Sequence, residues 1–434
     1  MAASTWGSDR SGGYRRRIVD DELDALLPEI PAVVLDGPKG VGKTATARER
    51  AIFYFGLDST QVLDLVRADP PRLVRRSETT LIDEWQRFPQ SWDLVRRAVD
   101  DDPTPGRFVL TGSASPSAPA THTGAGRIIS VRMRPLSLVE RGFEQPTVSL
   151  ALLLNRGTTA PIRLEGATSR VLDNYVEQIV RGGFPGMTAT SPRAVRAWLA
   201  SYTRHIVDRD FPEAGLTPRN PELLRRWLTA YAAATATSAS FESIRDAASS
   251  GHVEKPAKST TIPYVDTLSR IWIADPVPGW LPTRSPLNRL TAGPKHHLAD
   301  PALAVALTDL TVDDLVAGSP RRGARSALLG CLFESLVTQS VRVYAQAVEA
   351  SVAHLRTRAG EREVDLLVLA PGGRVIALEV KLSATVDDAD VRHLHWLREK
   401  LGPDLIDALV ITTGADAYRR ADGIGVVPAA LLGP

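Results

Sequence analysis

Eight consecutive residues, Gly37-Pro38-Lys39-Gly40-Val41-Gly42-Lys43-Thr44, have the types and spacing of a phosphate-binding loop. Glycines let such a loop curl so that successive amide N–H groups point at an anion, and a following helix adds the positive end of its dipole. Lys43 is then placed to reach the β and γ oxygens of a triphosphate, and the Thr44 hydroxyl to ligate magnesium. The cofactors read from the loop are ATP and Mg2+. Downstream, Asp83-Glu84 close the short apolar run TTLI. Asp83 would hold the metal through water, and Glu84 would polarise the water that attacks the phosphate. The competing reading is an acidic helix cap. Ser113, in Thr111-Gly112-Ser113, would sense the γ-phosphate or merely form a turn. Arg127 would be an arginine finger reaching a neighbour's site, which calls for a homo-oligomer, or a solvated surface residue.

A second array is Asp365, Glu379 and Lys381, spaced D-x13-E-x-K over two apolar runs joined by PGG. Glu379 and Lys381 leave the same face of a strand because side chains alternate with period two. With Glu334 on the preceding helix, three carboxylates around a hard cation suit metal-dependent phosphodiester hydrolysis. The same groups would also serve a DNA-binding surface that does not cut, or form a plain acid–base pair on the surface.

These residues need elements to carry them. AVVLD (32–36), TTLID (79–83), FVLTG (108–112) and IISVRM (128–133) read as strands, and so does VLDL (62–65). A helix is expected over TATARERAIFYFG behind the loop, and another over SWDLVRRAVDD. Strands alternating with helices imply a mostly parallel sheet. SASPSAPATHTGAG (113–126) reads as a flexible loop. From about 170 to 250 the pattern is helical. Phe241–His252 with Lys258–Ala274 fits a helix-turn-helix whose recognition helix is Ser259–Ile271, putting Lys255, Lys258, Thr260 and Thr261 near a phosphate backbone. The alternative is a helical lid that touches no DNA. A second α/β unit follows 326.

The chain has 434 residues and a net charge of +2, so charge alone names no nucleic-acid partner. It has seven lysines against a large excess of arginine. Lysine is a compact point charge that arginine does not replace. One cysteine, no long apolar stretch and no secretory leader lead to the expectation of a cytoplasmic protein without a membrane partner.

The order GPKGVGKT, LIDEWQ, LTGSAS, GR and RPLSLVERG, followed by RGGFP, HIVDRDF, PKHHLAD, LFESLV and REVDLLV…ALEVK, resembles the AAA+ ATPases of bacteria and archaea that carry a C-terminal domain of unknown function. The Asp365–Glu379–Lys381 array resembles the PD-(D/E)xK nucleases. The resemblance implies a flexible tail at 1–17, a P-loop AAA+ parallel-sheet core at 18–145, a helical region with a winged-helix-like unit at 165–290, and a restriction-endonuclease-like α/β unit at 291–434. The chain departs from the family at LAD, where a DTGL-type run is usual, and no role is assigned to Asp300. The expected partners are DNA or, as in toxin–antitoxin and defence systems, a protein that reads the nucleotide state.

Overall fold

β1 (Ala32–Asp36) carries four buried aliphatic side chains and pairs in parallel with β4 (Phe108–Gly112) on one side and β5 (Ile128–Arg132) on the other. In the computed structural model this sheet continues through β3 (Thr80–Asp83) to β2 (Phe53–Gly56), in the order β2-β3-β4-β1-β5, all parallel. The structure describes residues 13–113, 125–155, 162–249, 257–282, 293–316, 322–357 and 360–434. The chain between these strands forms α1 (Val19–Leu26), α2 (Lys43–Arg48), α3 (Thr60–Ala68) and α4 (Gln90–Asp101).

Two elements correct the sequence reading. α2 stops at Arg48, and the aromatic FYF behind it forms β2, where Arg48 covers the Tyr54 ring and Arg76 the Phe53 ring. VLDL lies inside α3, where Val62, Leu63 and Val66 share one apolar face. Four residues are too few to separate a period of two from one of 3.6. Tyr14 bonds to Asp20 and Thr46, and Arg17 is buried against Glu140. Residues 1–12, and 114–124 of the expected loop, lie outside the described residues.

The middle of the chain contains β6 (Val148–Ser149), α5 (Leu150–Leu154), α6 (Leu172–Arg181), α7 (Pro192–His205), α8 (Phe211–Glu213), α9 (Pro221–Ala233), α10 (Phe241–Ser249) and α11 (Lys258–Arg270). α7 runs into α8 through a π-helical turn, Ile206–Asp210. α12 (Pro301–Leu307) packs on α6, α7 and α9, and residues 295 and 298 bridge to 277 and 274. Residues 293–316, including α13 (Val312–Val316), thus pack against the helical region.

The C-terminal unit runs α14 (Arg322–Gln346), β7 (Ser351–Arg356), β8 (Glu363–Leu369), β9 (Val375–Val380), α15 (Asp388–Leu401), β10 (Leu405–Thr412), β11 (Tyr418–Arg419) and β12 (Gly425–Pro428). Its mixed sheet has the order β11-β12-β10-β9-β8-β7. β13 (Leu432–Gly433) returns to pair with β6. One apolar core runs from Val33 and Leu35 of the first sheet through the helices to Leu366 and Leu378 of the second. Among the described residues no helix is long and apolar enough to cross a membrane.

Candidate functional site

β1 ends at Asp36, and the loop from Gly37 to Gly42 carries the chain into α2. Gly40 and Gly42 take positive φ, +82° and +98°, which an L side chain adopts only with strain. At Gly37 a Cβ atom would stand 2.2 Å from the Met133 carbonyl oxygen. Among the described residues the amides from Lys39 to Thr44 donate to no backbone carbonyl, so they are left for an anion. Lys43 is 5% exposed, and its Nζ donates to the carbonyls of Gly37 and Pro38 at 2.7 and 2.9 Å. Burial lowers its pKa to about 8, against the pull of Glu84. The loop is propped from behind: Arg17 donates to the Val41 carbonyl at 2.9 Å, and its Nε to Glu140 at 2.9 Å.

Strand register aligns the other groups. Asp83 ends β3 beside Thr111 of β4, and Gly112 lies beside Asp36. The Asp83 carboxylate accepts from the hydroxyls of Thr44 at 2.9 Å, Tyr54 at 3.1 Å and Thr111. Glu84 turns the chain with φ +54°, uncommon for a residue with a side chain. Its carboxylate accepts from Ser113 Oγ at 3.0 Å and from the Gln86 amide, which also donates to Ser113 at 3.2 Å. The structure thus gathers Gly37 to Thr44, Asp83, Glu84 and Ser113 at one edge of the sheet. Arg127 is not with them. It pairs with Asp100 of α4 at 2.8 Å on the surface.

The helical region lies against the same loop. Phe184 and Trp198 face Gly40, and Pro185 faces Gly42. The Lys39 ammonium is held by Asp210, in the π-turn, at 2.7 Å and by Glu213 of α8 at 2.8 Å, while Tyr202 donates to its carbonyl. Asp210, Glu213, Gln86 and Tyr54 were not singled out by sequence. Within HIVDRDF, Asp210 is the acid that holds Lys39. Two cavities flank the loop. One of about 140 Å³ is lined by Lys39, Gln86, Ser113 and Asp210. The other, of about 480 Å³, is lined by Tyr14, Arg15, Gly42, Thr46, Pro185 and Thr188.

Asp300 does have a place. Fully buried, it caps α12 at the Ala302 amide and accepts from Gly183 N at 2.7 Å, Gln339 at 3.2 Å and Arg141 at 3.4 Å. Burial raises its pKa, against Arg141. RPLSLVERG, RGGFP and LAD therefore converge on one buried fastening. In the helix-turn-helix candidate, α10 and α11 are helices as expected. Thr261 is buried and bonds back to the Lys258 carbonyl, so it does not face a phosphate backbone, and Lys255 lies outside the described residues.

The C-terminal carboxylates do come together, around a cation the sequence did not announce. Lys295 Nζ stands 2.7 Å from Glu334, 3.1 Å from Asp365 and 3.2 Å from Glu363. Glu379 takes Lys381 at 2.9 Å on one oxygen, and its other oxygen is buried without a hydrogen bond. Burial, with Asp365 beside each, pushes Glu334 and Glu379 up to about 8. Among the described residues no group of three or more histidine, cysteine or acidic side chains is arranged to hold a metal ion.

Residues 29–141 match the AAA domain family, and this stretch contains the P-loop, Asp83, Glu84 and Ser113. Over that stretch the chain is similar to AAA domains. Residues 172–314 match a Domain of unknown function (DUF8612), and 329–432 a Domain of unknown function (DUF4143). Uncharacterized protein Mb2031c of Mycobacterium bovis and uncharacterized protein Rv2008c of Mycobacterium tuberculosis are each 28% identical over 208 residues, covering 46% of this chain and 41% of theirs. The match thus spans about two fifths of those relatives. The Walker-type ATPase PABY2304 of Pyrococcus abyssi aligns in structure with a TM-score of 0.40 at 14% identity, over 66% of this chain and 94% of that one.

Proposed function

We propose that this chain binds ATP with magnesium on the Gly37–Thr44 loop, hydrolyses it with Glu84 as base, and passes the nucleotide state to a partner through the helical region. The observation that carries the reading is the alignment of Lys43, Thr44, Asp83, Glu84 and Ser113 along one sheet edge, beside a loop whose amides are not used by the fold. Thr44 and Asp83, already in hydrogen-bond contact, are the residues to hold magnesium, which when bound neutralises phosphate charge. Lys43 leaves the Gly37 and Pro38 carbonyls for the phosphate oxygens. Glu84 accepts the proton of the attacking water, and Ser113 and Gln86 fix the carboxylate for that transfer. The larger cavity, between Tyr14 and Thr188, has room for the nucleoside.

DNA is the proposed partner, with α10 and α11 as the contact. A protein partner that reads a non-hydrolysing switch is the other outcome of the same assay. ATP turnover is measured for the wild type, Lys43→Ala and Glu84→Gln, with and without duplex DNA, with solution mass recorded alongside to reveal a homo-oligomer. Wild-type turnover well above both variants, and faster with DNA, is expected. Turnover equal to theirs would sink the enzyme reading, and turnover indifferent to DNA would remove that partner. The metal-dependent nuclease alternative is not favoured, because Lys295 stands among its carboxylates.

A further inference from the structure

Lys295 reaches the C-terminal unit from outside it. Its backbone is laced to Val277 in both directions, N–H to carbonyl and carbonyl to N–H, each 2.9 Å, and its neighbour His296 is bonded to Ala236 and Thr237 in the same way. The helical region therefore fixes where this side chain points. It points into the angle between α14 and β8, where it is 1% exposed. The ammonium donates to Glu334 and Asp365 there, and Glu363 stands 3.2 Å away as a third ion-pair partner. The second oxygen of Asp365 is also engaged, by the Val380 amide at 2.9 Å. In a chain whose basic residues are overwhelmingly arginine, a lysine here fits a compact point charge that a guanidinium cannot imitate. Burial works to lower the Lys295 pKa, but Asp365, Glu334 and Glu363 outweigh it and raise it.

We propose that Lys295 is the resident cation of the C-terminal carboxylate cluster, occupying the position a divalent ion would take and closing the folded domain to metals there. A hard cation needs its oxygens at about 2.0–2.6 Å. Carboxylates spread around an ammonium at N···O distances of 2.7 to 3.2 Å are set too far apart, and the like charge repels the ion. Withdrawing the ammonium takes the shared counter-ion from Glu334, Asp365 and Glu363, and a divalent ion is the charge that would draw their oxygens inward.

The test is Mn2+ titration by calorimetry of the full chain without nucleotide, in four forms: wild type, Asp365→Asn, Lys295→Met and Lys295→Met/Asp365→Asn. The wild type and Asp365→Asn should be indistinguishable. Lys295→Met should gain a saturable site at least tenfold tighter than anything in the wild type, and the double variant should lose it. Mn2+ binding by the wild type that Asp365→Asn removes would overturn the proposal, as would a folded Lys295→Met that binds no Mn2+. Should Lys295→Met fail to fold by circular dichroism, the comparison of wild type with Asp365→Asn decides alone. Plasmid cleavage by the wild type in Mn2+, abolished by Asp365→Asn, would count against it equally.

Discussion

Lys43 makes nucleotide binding depend on pH. The loop needs the ammonium form, and burial brings its pKa down to about 8 in the nucleotide-free protein. Below that value the charged form dominates, and above it each pH unit removes up to about tenfold of it until phosphate contact restores the proton. Affinity for a fluorescent ATP analogue should therefore be level below about pH 7 and weaken above about pH 8. Glu84 separates binding from chemistry. Glu84→Gln should hold nucleotide with nearly unchanged affinity and lose roughly 10²–10⁴-fold in turnover. Ser113→Ala leaves the carboxylate to Gln86 alone, so kcat should fall by about tenfold with KM unmoved, which single-turnover kinetics will read. At this scale the sequence was most legible where the chemistry is local. Eight adjacent residues define the loop without help from the rest of the chain. Lys39 and its partner Asp210 are 171 residues apart, and no spacing rule reports such a pairing. Lys295 was hidden the same way: its carboxylates lie on other elements, and only folding brings them together.

Elements explain which motifs are machinery and which are joinery. Asp83 and Thr111 line up, with Asp36 one residue further on beside Gly112, because β1, β3 and β4 are parallel and in register, and their aliphatic runs announced that sheet. β2 was missed because an aromatic strand directly after a helix blurs into it, and β7 because SVAHLR has no strict alternation that marks it. Asp300 joins α6, α12, α14 and the segment before β6 in one buried contact. Asp300→Ala takes the carboxylate away from Arg141, whose side chain is 4% exposed, and leaves the Gly183 and Ala302 amides without their acceptor. It should cost about 3–5 kcal/mol, visible as a large fall in the urea midpoint. The effect on ATP affinity should be indirect and smaller, since none of these groups touches the phosphate loop. Asp300→Asn, which keeps the shape and one acceptor, should fall between.

Across the whole molecule, three units meet at Asp275. It receives Arg134 at 2.8 Å and Arg342 at 3.1 Å, with Arg132 at 4.0 Å, and these arginines hold its carboxylate far below the usual range despite its burial. Arg132 and Arg134 come from the end of the first sheet, Asp275 from the helical region and Arg342 from α14. Asp275→Ala leaves three guanidinium groups crowded together without their counter-ion. Calorimetry should then show the wild type's cooperative melting resolving into separate transitions, with added ATP raising only the one that contains the P-loop. Sequence could not foresee this junction, since in so arginine-rich a chain no single arginine stands out. The sheet order also sets a schedule for biosynthesis. β1, the strand that presents the phosphate loop, sits between β4 and β5, which leave the ribosome long after it. Until Gly112 has emerged, a bare aliphatic ribbon waits with both edges unpaired, and one edge stays open until Arg132 follows, so the nascent chain carries its own sticky intermediate and should engage ribosome-associated chaperones over that interval.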